Sequence, residues 1–110
     1  MAEQQITRLK DHELWAEYKR NGNIDAKKTL IETHLKLVDY VVGRVAIGLP
    51  KNMSKDDLAS FGVMGLIDAI DKFDYDRGLQ FETYASWRIR GAIIDGLRQG
   101  DWVPRSVREK

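Results

Sequence analysis

A chain of 110 residues carrying 18 Lys and Arg against 17 Asp and Glu has room for one domain with a single modest core. Its net charge of +1 is too balanced for a protein that coats nucleic acid indiscriminately. With no Cys, and with His12 and His34 on separate predicted helices, disulfides, thiolate chemistry and a zinc site are excluded, and no metal or cofactor is expected. No apolar run approaches the ~20 residues of a membrane span, and MAEQQITRLKDHELW has no signal-peptide core, so a cytoplasmic protein is expected.

The first predicted helix, about Lys10 to Arg20, places Leu14, Trp15 and Tyr18 on one side and stops at the Asn21-Gly22 breaker. Trp15 and Tyr18 pack this helix onto the rest. A long second helix is predicted from about Asp25 to Ile47, because Leu30, Ile31, Leu35, Val38, Val41, Val42 and Val45 keep helical spacing throughout. The β-branched run VVGRVAIGL could form a strand, but the length of the periodic segment argues for helix. Gly43 within it is read as a point of close approach by a neighbouring helix, and Gly48-Leu49-Pro50 ends the segment.

Ser54 is the expected N-cap of a third helix, with Asp56 and Asp57 in the first turn where the helix dipole favours negative charge. Its inner face is Leu58, Gly62, Gly65, Leu66, Ala69 and Phe73, with the two glycines permitting close helix approach. The outer face carries Ser60, Phe61, Met64, Ile67, Asp68 and Asp71. An apolar patch edged by two carboxylates suits a partner helix bearing basic residues. Asp74-Tyr75-Asp76-Arg77-Gly78 has the Asp-x-Asp spacing of a calcium loop, but Leu79 and Ala85 stand where that loop needs its glycine and terminal glutamate, so it is read as a turn.

The last complete helix, Phe81 to Arg98, divides at ~100° per residue into two faces. Phe81, Ala85, Ile89, Ala92, Ile93, Gly96 and Leu97 share the core side. Tyr84, Trp87, Arg88, Gly91, Ile94, Asp95 and Arg98 share the other, an aromatic and cationic stripe where a solubilising face would carry Lys and Glu. Positive charge concentrates here: residues 88 to 110 hold Arg88, Arg90, Arg98, Arg105, Arg108 and Lys110 against Asp95, Asp101 and Glu109. Flat rings interleaved with guanidinium groups suit unpaired bases and the phosphates between them, which points to single-stranded nucleic acid. Gly100 to Pro104 turns the chain, and Arg105 to Lys110 reads as the start of a further helix that is cut off, so a fragment is expected.

The stretch FGVMGLIDAIDKFDYDRGLQFETYASWRIRGAIIDGLR, followed by DWVPRSVREK, resembles the second conserved region of bacterial RNA polymerase sigma factors of the flagellar and motility class, over roughly Leu14 to Lys110. The resemblance implies an all-α fold, a compact bundle of four main helices, with residues 1–103 as the core-binding and promoter-melting domain and 104–110 as the truncated start of the next helical region. It implies that the third helix docks on a coiled coil of the largest catalytic subunit of core RNA polymerase through Asp57, Ser60, Phe61, Met64 and Ile67. It also implies that Phe73, Tyr84 and Trp87 trap a flipped non-template adenine and wedge the upstream edge of the −10 bubble, with Arg77 and Gln80 near the backbone and Arg98 and Arg105 among the DNA contacts. Housekeeping members of the family carry a second Trp at the position of Arg88 and polar base readers at those of Gly91 and Ile94. The motility class, whose −10 element begins with G and C base pairs, differs in this way, and Arg88 suits guanine O6/N7 while Asp95 suits cytosine N4.

The expected function is therefore a promoter-specificity factor domain that binds core polymerase and single-stranded promoter DNA, with an anti-sigma protein as a further partner. It is not expected to be an enzyme, since no nucleophile and base pair, metal cluster or phosphate loop is present in the sequence. Two alternatives are a stand-alone duplex-binding module, with Phe81 to Arg98 in a major groove, and a protein-interaction domain without DNA binding. Tyr84 and Trp87 have little to do in a major groove, which weighs against the first.

Overall fold

The computed structural model describes residues 11–50 and 54–99 and contains five α-helices in that range. Helix α1 (Asp11–Asn21) turns Leu14 and Trp15 inward and ends at Gly22, whose φ of 67° is the left-handed conformation that an L side chain resists. The Gly22 and Asn23 N–H groups donate back to the carbonyls of Tyr18 and Glu17 at 2.9 and 3.0 Å, which satisfies the frayed helix end. Asn23 then caps α2 (Ile24–Thr33), its Oδ1 accepting from the N–H groups of Asp25 and Ala26 at 2.9 and 3.2 Å.

The single long helix expected from Asp25 to Ile47 is in fact two, α2 and α3 (Leu35–Ala46), joined by one tight turn at His34. At φ −107° and ψ 11° His34 leaves helical geometry. Bonds of i to i+3 type bracket it, from His34 N–H to Ile31 O and from Leu37 N–H to His34 O. The apolar stripe survives because Leu30, His34 and Val38 all remain buried across the turn. The His34 ring holds the joint: Nδ1 donates to Leu30 O at 2.8 Å, the ring stands edge-on to Phe81 at 4.7 Å, and Nε2 lies 3.5 Å from the Glu82 carboxylate.

Ser54 caps α4 (Lys55–Lys72) as expected, its Oγ accepting from Asp56 and Asp57 N–H at 3.2 and 3.4 Å. The helix stops at Phe73, which is extended. Asp74 Oδ1 then accepts from Asp76 N–H at 3.1 Å in a turn completed by Gly78 at φ 79°. Helix α5 (Phe81–Gln99) follows and packs most extensively on α4.

The core is the shared inner side of these helices: Trp15, Leu30, Val38, Leu58, Leu66, Ile70, Ile89 and Ile93 are its largest fully buried side chains. Burying each is worth roughly 1.5–3 kcal/mol before the entropy of ordering is counted. The α4–α5 seam is set by glycine. A Cβ at Gly65 would lie 2.8 Å from the Arg88 carbonyl oxygen and 2.9 Å from the Ile89 Cα, so the two backbones touch there. Further along, the Phe61 ring seats on Gly96, where a Cβ would fall 2.5 Å from the ring. Gly43 departs from expectation: a Cβ there would meet nothing within 4 Å, so among the described residues it admits no neighbouring helix. Among the described residues, no helix is long and apolar enough to cross a membrane.

Candidate nucleic-acid interface

The start of α5 rests on a cluster of rings. Trp15 contacts Phe73 and Phe81 at centroid distances of 5.0 and 4.9 Å, and Phe73 contacts Phe81 and Tyr84 at 5.1 and 5.8 Å. Such tilted and edge-on pairs fix ring orientation. Phe73, expected to face a flipped base, is buried at 7% exposure and stands behind Tyr84 instead. This agrees with its place on the inner face of α4, four residues after Ala69, where Trp15 and Phe81 hold its ring. Tyr84 is half-buried, packed against the core with the Phe73 ring 5.8 Å away.

Trp87, one turn on, is 70% exposed. It forms a ridge between two depressions. On one side a groove of about 500 Å³ is lined by Tyr40, Arg44, Ser86, Arg90 and Ile94 among others, from α3 and α5. Arg44 lies over the Tyr40 ring at 5.9 Å, a cation–π arrangement that keeps its charge at the groove. On the other side a smaller depression of about 250 Å³ is lined by Met64, Gly65 and Asp68 of α4 and by Arg88, Gly91, Ala92 and Asp95 of α5. The charged lining of the first is cationic, Arg44 and Arg90, which suits phosphate oxygens. The second mixes Arg88 with two carboxylates, which suits base edges that both accept and donate. Tyr40, Arg44 and Arg90 were missing from the expected site. Arg90 falls off the outer stripe of α5, and nothing in the sequence tells which part of α5 α3 lies beside.

Arg88 is not isolated. It donates from Nη2 to Asp68 Oδ2, and Asp68 Oδ1 accepts from Lys72 Nζ at 3.1 Å. The hydrogen bond from Arg88 holds the Asp68 carboxyl below the usual carboxylate range and raises the guanidinium above its ordinary value. The partner is on α4, not at Asp95, which is exposed. Arg77 is exposed and 3.9 Å from Asp74, Gln80 is exposed near the ring cluster, and Arg98 is exposed on the last turn of α5. Arg105 and the expected Gly100 to Pro104 turn lie outside the described residues, as does the 103/104 boundary.

Of the expected docking residues, Met64 is 66% exposed and Ser60 is exposed, while Asp57 and Ile67 are half-buried on the same side of α4. Phe61 departs from this set by turning its ring onto Gly96. Asp71, expected at the edge of the patch, is committed elsewhere: Tyr18 Oη donates to its carboxylate at 2.5 Å, Lys27 Nζ lies at 3.1 Å, and Lys19 Nζ donates to its carbonyl. Partial burial works to raise the Asp71 pKa, but the hydrogen bonds from Tyr18 and Lys27 and the charges of Lys27 and Lys19 outweigh it and hold the carboxyl below its usual range. Asp71 therefore ties α4 to α1 and α2. Among the described residues, no group of three or more His, Cys, Asp or Glu could hold a metal ion.

The sigma-70 region 2 family profile matches residues 30–103. The chain is 52% identical over 106 residues to the RNA polymerase sigma-D factor of Bacillus subtilis, covering 96% of this chain and 42% of that protein. It is 44% identical over 91 residues to the RNA polymerase sigma factor FliA of Salmonella typhimurium, covering 83% and 38%. Among solved structures, the flagellar sigma/anti-sigma complex Sigma-28/FlgM aligns with a TM-score of 0.67 at 37% identity, over 81% of this chain and 39% of that one. The chain thus spans less than half the length of these relatives. The matched segment runs from Leu30 in α2 through both long helices and takes in Trp87 and the two depressions beside it: the chain belongs to the sigma-70 region 2 family.

Proposed function

We propose that this chain is the polymerase-docking and promoter-melting part of a flagellar-class sigma factor, a binding protein that selects promoters while the polymerase supplies the catalysis. The observation that carries this reading is the exposure of Trp87 between a cationic groove and a mixed-charge depression. An indole left 70% exposed and flanked by guanidinium groups is a platform on which an unpaired base can stack. Unpaired bases do so at ~1–3 kcal/mol each, which offsets the loss of base pairing on opening the −10 element. In this reading Tyr84, braced from behind by Phe73, is a preset shelf for a non-template base, and Trp87 wedges the upstream edge. Arg44 and Arg90 take phosphates, Arg77, Gln80 and Arg98 add further DNA contacts, Arg105 is assigned to the DNA by the family resemblance alone, and Arg88 and Asp95 read the first bases. Met64, Ile67, Ser60 and Asp57 dock on the coiled coil of the largest catalytic subunit, with Phe61 supporting that face from the α5 side. An anti-sigma protein fits as a further partner, because the aligned flagellar sigma was solved bound to one.

One experiment separates the parts. In cross-linking of the chain to a mixture of core polymerase and a forked promoter probe, Trp87→Ala should keep the polymerase adduct and lose the probe adduct, whereas Met64→Glu should lose both. Both variants should fold within about 1 kcal/mol of the parent, as surface changes do. Equal loss of forked and fully duplex probe by Trp87→Ala would instead indicate a duplex-binding module.

A further inference from the structure

Asp68, expected at the edge of the docking patch, instead pairs its side chain with Arg88 on the base-reading side of α5. Both of its carboxylate oxygens are engaged, Oδ1 by Lys72 at 3.1 Å and Oδ2 by Arg88, so the group is fixed in place. The Gly65 seam one turn earlier brings the helix backbones into contact and so sets how far Asp68 stands from Arg88. A guanidinium has five N–H donors in a rigid fork, and the contact with Asp68 is through Nη2. With the Arg88 side chain 40% exposed, the rest of the fork is open at the wall of the depression that Asp95 and Gly91 also line.

An arginine free on the surface must lose most of its rotamer entropy to meet a base edge, whereas one already held by a carboxylate has lost it on folding. We propose that Asp68 is a positioning residue for promoter selection: its carboxylate holds the Arg88 guanidinium so that the remaining N–H groups face guanine at the start of the −10 element. This rests on the reading of Arg88 as a base contact. Two other roles for the pair predict different outcomes. As a tie between α4 and α5 it would affect stability and leave base preference alone. As a mask over Arg88 it would weaken DNA binding, and breaking it would strengthen binding to every sequence.

The test measures the affinity of the chain, at saturating core polymerase, for forked probes whose first −10 pair is G·C or A·T. Saturation removes any contribution from weakened docking on the nearby face of α4. The parent should prefer the G·C probe, and Arg88→Ala should abolish that preference. Asp68→Asn, which keeps the shape and removes the charge, should cut the preference by about fivefold, a part of what a good bidentate contact contributes. Asp68→Glu, which keeps the charge, should restore most of the preference. If Arg88→Ala abolishes the preference and Asp68→Asn leaves it intact, Asp68 positions nothing while the base-contact reading stands. If Asp68→Asn tightens both probes alike, the pair is a mask and the proposal is overturned. A preference untouched by Arg88→Ala would remove the base-contact reading and this proposal with it.

Discussion

Helix α5 is held in two different ways along its length. At its start, Phe81 and Tyr84 rest on Trp15 and Phe73, ring against ring at about 5 Å or a little more. In its middle, Ile89 and Ala92 meet Gly65 of α4 with no side chain between the backbones. Rings fill space and fix orientation through edges and faces, so that end is defined by volume. The glycine seam is defined by the absence of volume. Each suits what it supports: the ring end braces Tyr84 from behind, and the seam brings Asp68 within reach of Arg88.

The comparison breaks most visibly at Trp15, which is 1% exposed and touches both other core rings. Trp15→Ala should cost about 3–5 kcal/mol in chemical denaturation, the range for deleting a buried indole, and should loosen Tyr84 with it. A smaller cost would mean that α1 is an accessory. At the seam the opposite change matters. Gly65→Ala adds one methyl against backbone atoms that cannot turn aside, so the helices must part, at about 1–3 kcal/mol. Gly43→Ala is the matched control in α3, where the new Cβ meets nothing within 4 Å, and should stabilise by about 0.5–1 kcal/mol through helix propensity. Thermal melts of the two variants should therefore move in opposite directions.

The smallest expected effect concerns Asp71, which anchors α1 and α2 beside the ring end. A carboxyl whose folded pKa is depressed contributes stability that is fully present above its unfolded value of about 4 and is lost as pH falls through the folded value. Asp68 contributes with the same sign. Both carboxylates are partly exposed, so solvent screens the effect. Asp71→Asn should lower the melting temperature slightly at neutral pH, flatten the acid limb and converge on the parent as pH falls. An unchanged acid limb would show that Tyr18 and Lys27 do not depend on its charge.

Much of this arrangement was legible in the residues. The helical period of Ala85, Ile89 and Ile93 marks the buried side of α5, and Ser54 and Gly65 announce a cap and a close approach. The break at His34 was not legible, because no Gly or Pro marks it and the i, i+4 spacing of Leu30, His34 and Val38 continues through it. The outer stripe of α5 was legible as a set of residues but not as a shape. Its division into a cationic groove and a mixed depression depends on Arg44 from α3 and Asp68 from α4, which chain order places far away. Phe61 misled for a related reason. A position that looks outward on an isolated α4 faces Gly96 once α5 crosses it, and a missing side chain on one helix is an invitation to a ring on the other.

The contrast between Trp15 and Trp87 also gives the molecule two optical reporters. An indole sealed among rings emits at shorter wavelength and is shielded from dissolved quenchers, whereas one standing in water emits at longer wavelength and is quenched readily. In a Trp102→Phe background the blue component would follow unfolding through Trp15, and the red component would follow whatever covers Trp87. Folding and ligand capture could then be watched in one cuvette without a label, each at its own wavelength.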